Sequence, residues 1–325
     1  MDEKELLRVI ASSKIFKNWH WLSYHFGSQI NGRPHPLAQA VISACLICEA
    51  KMPGYAPQFI ERLAGVSGRE KHMPDWEQLL QQLAELHVIS WVASWYGEGL
   101  ATFELEPTTQ QSKKNPEILF STATQNVGVE VKAPAIFKHW ESRSGNPIQF
   151  ASRFAPKEVI EKLVGDQSST LPRDNPVKDF LISANEKFSG FASRDPGFIG
   201  ILVICWDDHI YEPISSLIQP DCGLLTENSF FRDQDGRPHR FDNISGIILI
   251  RHLYQLVRAC RDEPLMDGIS HPLDYGKQGQ FPWKAFIQNP HGRPVPKEVL
   301  ECFDGREICD EMGAEYRPQE FIMWL

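Results

Sequence analysis

Apolar and polar positions along the chain change period several times, and each change marks an element. From Val127 to Lys132 the period is two. Val127, Val129 and Val131 share one strand face, and Gly128, Glu130 and Lys132 share the other. Glu117 to Ser121 precedes this strand, joined to it through Thr122-Ala123-Thr124-Gln125-Asn126, a length that suits a hairpin or a slightly longer turn. Leu100 to Glu106 alternates as well and is closed by Pro107. Phe198 to Trp206 and Ile244 to Ile250 are continuous apolar runs, the mark of central strands buried on both faces. Two stretches carry helical period instead. After Asn175-Pro176, the residues Val177, Phe180, Leu181, Ala184 and Phe188 form one stripe. Between Asp75 and Ala93, Trp76, Leu79, Leu80 and Leu83 form a stripe, while Val88, Ile89 and Val92 lie on the Glu85 side. That helix is therefore predicted to be buried between layers. The order of elements predicts an α/β fold whose mixed sheet is flanked by helices.

The remaining stretches are less regular. Residues 1–73 read as helical, with segments at Glu3 to Ala11, Pro36 to Ala50 and Gln58 to Ala64; Pro36 suits a first helical turn. Ala135 to Trp140 reads as helix. Residues 141–175 are rich in Ser, Pro, Gly and charge and read as an insertion or mobile loop, with a short helix near Pro156 to Val164. Past Arg251 the pattern weakens. The chain is thus divided into a helical N-terminal region (1–73), a core (74–255) and a C-terminal extension packed on that core (256–325), with one helix at Pro296 to Cys302.

Bulk composition narrows the picture. The 325 residues suffice for one large or two medium domains, and a net charge of −9 is not the footprint of an obvious nucleic-acid binder, although a local basic patch can hide in the total. The start, MDEKE, lacks the basic and apolar parts of a signal peptide, and Phe198 to Trp206 is too short to span a bilayer. No membrane association is expected. Seven cysteines suggest reduced thiols and a cytoplasmic location. The glycine-rich nucleotide loops, His-Glu-x-x-His and Gly-x-Ser-x-Gly do not occur, which removes the common nucleotide-binding, zinc-protease and hydrolase readings.

Chemistry concentrates in the hairpin. It brings Glu117 close to Glu130, on the strand face that also holds Lys132, and Gly128 leaves room for a ligand. Converging carboxylates repel unless a cation sits between them, and carboxylate, water and phosphate oxygens are what magnesium accepts. Carboxylates more than roughly 8 Å apart cannot share such an ion at ~2.1 Å ligand distances. The plainer alternative is an ordinary cross-strand charge pair on a solvated face. Elsewhere, Lys113-Lys114 reads either as a phosphate contact or as a solvated loop pair. Cys45-x-x-Cys48 has no second pair at matching spacing and reads as core cysteine rather than a zinc or redox site. His20 and His25 read as packing and surface residues. Asp207-Asp208-His209, following a buried strand, reads as a strand cap, with metal binding as the alternative.

The order helix, strand, Pro-acid strand, E-x-K strand, helix, carried by Pro116, Glu117, Glu130 and Lys132, resembles the PD-(D/E)XK nuclease superfamily and its restriction-endonuclease-like fold. The resemblance covers roughly residues 75 to 255 and departs from the family at Glu117, where Asp is usual. It implies a magnesium-dependent nuclease, with manganese as a substitute, acting on nucleic acid and on DNA rather than RNA. Glu117 and Glu130 would hold metal, Glu85 would add an acidic ligand from the preceding helix, and Lys132 would be catalytic. A surface glutamate is the plain reading of Glu85. The N-terminal helices would select substrate or contact a partner protein or a second copy. The competing expectation is a non-catalytic binding module on the same fold, favoured by the acidic balance and by Glu117.

Overall fold

A computed structural model of the chain describes residues 1–109, 114–155, 158–159, 162 and 169–323. The order is α1 (Glu3–Ser12), α2 (Ser23–Ile30), α3 (Pro36–Lys51), α4 (Tyr55–Gly65), α5 (Met73–Trp95), β1 (Thr102–Leu105), β2 (Ile118–Ser121), β3 (Asn126–Lys132), α6 (Phe137–Ser144), β4 (Ile148–Phe150), β5 (Ser169–Thr170), α7 (Asp174–Ala192), β6 (Ile199–Trp206), α8 (Tyr211–Ile218), β7 (Gly246–Arg251), α9 (Leu253–Cys260), β8 (Lys284–Gln288), α10 (Lys297–Cys302), β9 (Gly305–Glu307) and β10 (Phe321–Met323). The helix expected near Pro156 to Val164 and the residue Lys113 fall largely outside the described residues.

The main sheet has the order β1-β2-β3-β6-β7-β8-β9. β1, β2 and β3 form an antiparallel meander, β3, β6 and β7 run parallel, and β8 returns antiparallel. β6 lies in the middle and is buried along its whole length, as its unbroken apolar run requires. Two layers cover the sheet. The valine face of β3 joins the helices α1 to α5 in one apolar core that runs from Leu6 to Phe303, so the N-terminal helices share the sheet's core rather than building their own. The other face, with Leu202, Ile204 and Trp206, is covered by α7 and α8. Helix ends follow local chemistry: Asp2 and Glu5 form a capping box on α1, and His35 caps α3 ahead of Pro36.

Three features differ from the sequence pattern. The region 256–325 does more than wrap the core, because β8 and β9 extend the main sheet; β8 is a five-residue buried strand set between Pro- and Gly-rich stretches, too short to show a period. The 141–175 stretch contributes β4 and β5, which with β10 make a second, three-stranded sheet. Gly128 does not admit a ligand: a Cβ there would lie 2.6 Å from the Phe198 ring, so the glycine makes room for core packing. No helix among the described residues is long and apolar enough to cross a membrane.

The α5 side of the core holds buried histidines that stay neutral. His87 stacks on His252 with ring centres 3.9 Å apart, and neither His87 nitrogen has a hydrogen-bond partner. Burial, then the neighbouring His252, holds His87 well below the usual histidine value; burial brings His252 itself to about 4. Both are charged in the unfolded chain below pH ~6.5 and neutral in the fold. Their contribution to stability is therefore complete above pH ~6.5 and is lost as pH falls toward about 4, at ~1.4 kcal/mol per unit for each. Thermal melts from pH 8 to 4.5 are expected to show this fall, and His87→Phe, which keeps the stack, should melt with a shallower acid slope. Equal slopes would show that His87 is not the source.

Candidate active site

The site is built where the sheet splits. β2 and β3 pair from Ser121↔Asn126 to Ile118↔Val129, and the next bond, Glu117 N–H to the Val129 carbonyl at 3.0 Å, is the last between them. β3 runs on to Lys132, paired there with β6 alone. Its free edge is completed by a side chain. The Gln81 amide donates to the Val131 carbonyl (3.1 Å) and accepts from Ala133 N–H (2.6 Å), in place of a neighbouring strand. One turn earlier Glu77 accepts the N–H groups of Ile136 and Phe137. One turn later Glu85 accepts from Gln81 at 3.0 Å. Glu77, Gln81 and Glu85 are spaced i, i+4, i+8, so one row of α5 lines the gap.

Glu130 is fully buried and forms the centre. Its Oε1 receives two ammonium groups, Lys132 at 2.6 Å and Lys187 from α7 at 2.7 Å. Its Oε2 is buried without a partner. Lys187 also stands 3.6 Å from Glu117 Oε1, so the two carboxylates flank one nitrogen and lie inside the roughly 8 Å beyond which they could not share an ion. Glu85 enters from α5, with Arg62 3.8 Å away. The charges act on one another. Glu117 is pushed up to about 8, by burial and then by the Glu85 and Glu130 carboxylates, against the pull of Lys187 and Lys132. Burial also raises Glu85, with Gln81, Arg62 and Lys132 opposing. For Lys187, burial works to discharge the ammonium, but Glu130 and Glu117 outweigh it and hold it above its usual value.

The structure thus gathers Glu85, Glu117, Glu130 and Lys132, from three stretches of the chain, into one cluster. It adds two residues that the pattern did not single out. Lys187 sits one turn after Ala184 and beside Phe188, at the margin of the apolar stripe of α7, where a buried-edge cation was the available signal. Gln81 lies one turn before Glu85. The donor set fits a hard divalent cation in two respects: three carboxylates converge, and one of their buried oxygens is unpartnered. The three do not, however, bring one oxygen each within the 4.8 Å that a ready-made site requires, so an ion would have to draw them inward as it displaced an ammonium.

Other candidate residues have structural work. Asp207 is fully buried and accepts from Arg173 (2.8 Å), Trp140 (2.9 Å) and His209 N–H (3.0 Å). Arg173 also bonds Glu212 and lies over the Trp206 ring. Burial alone would raise Glu212, but Arg173 and His139 outweigh it and hold its carboxyl at about 2. These matched charges join α6, β6 and α8, and Asp207 is a strand cap. Lys114 pairs with Glu186. Cys45 and Cys48 are buried thiols, both raised by burial. His20 is buried, accepting from Leu22 N–H and facing the Leu63 carbonyl, and His25 is buried too, so neither is a surface residue.

Among the described residues, His25, His35 and Asp262 do bring three ligand atoms within 4.8 Å. Tautomer chemistry argues against a metal there. His35 Nδ1 accepts from Leu37 N–H, which places the proton of a neutral ring on Nε2, and Nε2 donates to Asp262 at 2.8 Å. His35 therefore keeps no lone pair for an ion. Comparison of the chain with protein-family models, with curated proteins and with solved structures finds no match.

Proposed function

We propose that the chain is a metal-dependent nuclease that hydrolyses phosphodiester bonds. The observation that carries this reading is the state of Glu130: one oxygen on two ammonium groups, the other buried and unpartnered, beside a second carboxyl pushed up to about 8. The unpartnered oxygen and the second carboxyl are the ligands that a cation would take as it displaced an ammonium. Glu117 and Glu130 would hold magnesium or manganese, with Glu85 adding a ligand through water. The ion, when bound, supplies Lewis acidity and a water of lowered pKa. Lys132 keeps its ammonium at the carboxylates rather than in bulk solvent, where it orients the attacking water and stabilises charge that develops on the phosphoryl oxygens. Lys187 offers a second cation to the same oxygens. DNA is the proposed substrate, and the test is incubation of plasmid, linear duplex, single-stranded DNA and RNA with magnesium, manganese or EDTA. Cleavage that EDTA fails to stop would remove the reading.

Glu117 gives the activity a pH signature. A carboxyl with a pKa of about 8 is protonated at neutral pH and must lose that proton to bind metal, so metal affinity rises with pH until about 8 and is flat above it. Calorimetric titration with magnesium between pH 6 and 9 should show up to tenfold tighter binding per unit, with proton release. Glu117→Gln should abolish the slope. A pH-independent affinity in the parent would contradict the assignment.

The second reading is a non-catalytic binding module. It is favoured by the same two lysines, which already neutralise Glu130 without any ion. Absence of magnesium binding at every pH, in a folded protein that still binds nucleic acid, would select it.

A further inference from the structure

The two ammonium groups on Glu130 Oε1 are not equivalent. Lys132 lies two residues further along β3 and contacts Glu130 at 2.6 Å. Lys187 arrives from α7 and stands between the carboxylates, 2.7 Å from Glu130 Oε1 and 3.6 Å from Glu117 Oε1. Among the described residues it is the one side-chain cation that pairs with both. A divalent ion shared by these oxygens, at ~2.1 Å from each, would have to lie where this Nζ now lies. Two cations cannot share one place in a buried site, where charges are weakly screened. The backbone of Lys187 is fixed by its neighbour. Phe188 seats in the hollow left by Gly128 of β3 and its register partner Gly200 of β6; Cβ atoms there would lie 3.2 and 2.7 Å from its ring. Helix α7 therefore cannot back away from the sheet without opening the core, and movement of the ammonium is rotation of the side chain. That side chain keeps a fifth of its surface in solvent, so the ammonium has a way out.

We propose that Lys187 is a displaceable counter-cation: its ammonium holds the metal position in the free protein and turns out to solvent when a divalent ion enters. The inference rests on the metal site of the nuclease reading and deepens it by naming which ammonium leaves. Lys132 stays, because it touches Glu130 alone and leaves the gap between the carboxylates open. In the free protein Lys187 offsets the repulsion between Glu117 and Glu130 and so sets the ion concentration at which the site loads. A lysine that only positioned the carboxylates for the ion would act with the opposite sign, since its loss would weaken metal binding.

The test uses the full chain at pH 9, above the value of about 8 for Glu117, which limits competition from the proton on that carboxyl. Amine acetylation of the parent is read by mass spectrometry, with the exposed Lys297 as internal reference. Lys187 should be modified weakly in EDTA and severalfold more at saturating magnesium, with half of the rise at the Kd given by calorimetry. Lys187→Met, which keeps the length of the side chain without its charge, should bind magnesium roughly 5- to 150-fold tighter, the usual size of a coupling between two bound groups. Lys187→Arg, which keeps the charge, should stay close to the parent. If Lys187→Met fails to fold, acetylation of the parent carries the test. A Lys187 that stays unreactive at saturating magnesium, a folded Lys187→Met that binds the ion more weakly than the parent, or no magnesium binding by either protein would overturn the counter-cation. Cleavage that EDTA stops, with Lys187 unreactive throughout, refutes the counter-cation alone. Magnesium that releases Lys187 in a protein that cleaves nothing refutes the nuclease reading alone.

Discussion

Lys132→Ala is expected to reduce cleavage by 10² to 10⁴, the range for loss of a positioned proton-transfer or charge-stabilising group, while the fold remains intact. The ammonium is 2.6 Å from Glu130 and its side chain keeps a fifth of its surface in contact with solvent. Its removal leaves Glu130 with Lys187, so no bare buried charge results and the loss of stability should stay below the ~3 to 5 kcal/mol of breaking a buried pair outright. Substrate binding should weaken little, because the lysine acts most in the transition state. Lys132→Arg should not rescue, since a planar guanidinium cannot readily give up a proton or fill the same volume. A nuclease assay on folded variants with magnesium decides the matter. Cleavage at the parental rate by Lys132→Ala would place the chemistry elsewhere.

Glu130→Ala should have the larger structural consequence. It removes the acceptor of two ammonium groups from a position with no solvent exposure. Breaking a buried pair costs about 3 to 5 kcal/mol, and the lower end applies because both lysines can turn toward water. Metal binding and cleavage should both disappear. The double variant Glu130→Ala with Lys187→Met should regain part of the lost stability, since it deletes the charge left unpaired, but no activity. Thermal melts with and without magnesium give both answers. A magnesium-induced rise in Tm that survives in Glu130→Ala would show that Glu130 is not a ligand.

The strands and their faces were readable from period alone. Val127, Val129 and Val131 had to be buried together, so Glu130 and Lys132 had to share the other face, and the short turn at 122–126 had to bring Glu117 alongside. The unbroken apolar run of β6 fixed it as a central strand. These are local consequences of side-chain alternation and need no knowledge of distant contacts. Tertiary structure decided the rest. Lys187 is 57 residues from Glu130 in sequence, and only the packing of α7 across β3 and β6 makes it the second ammonium on that carboxylate. Gln81 became a surrogate strand edge only because β2 ends before β3 does. β8 and β9 are short segments whose strand character comes from the partner they meet. Gly128 read as space for a ligand, but the volume belongs to Phe198 and Phe188. The pattern of one strand says which way a side chain points; which group stands opposite it, and at what charge, is set by elements that the chain brings back from far away.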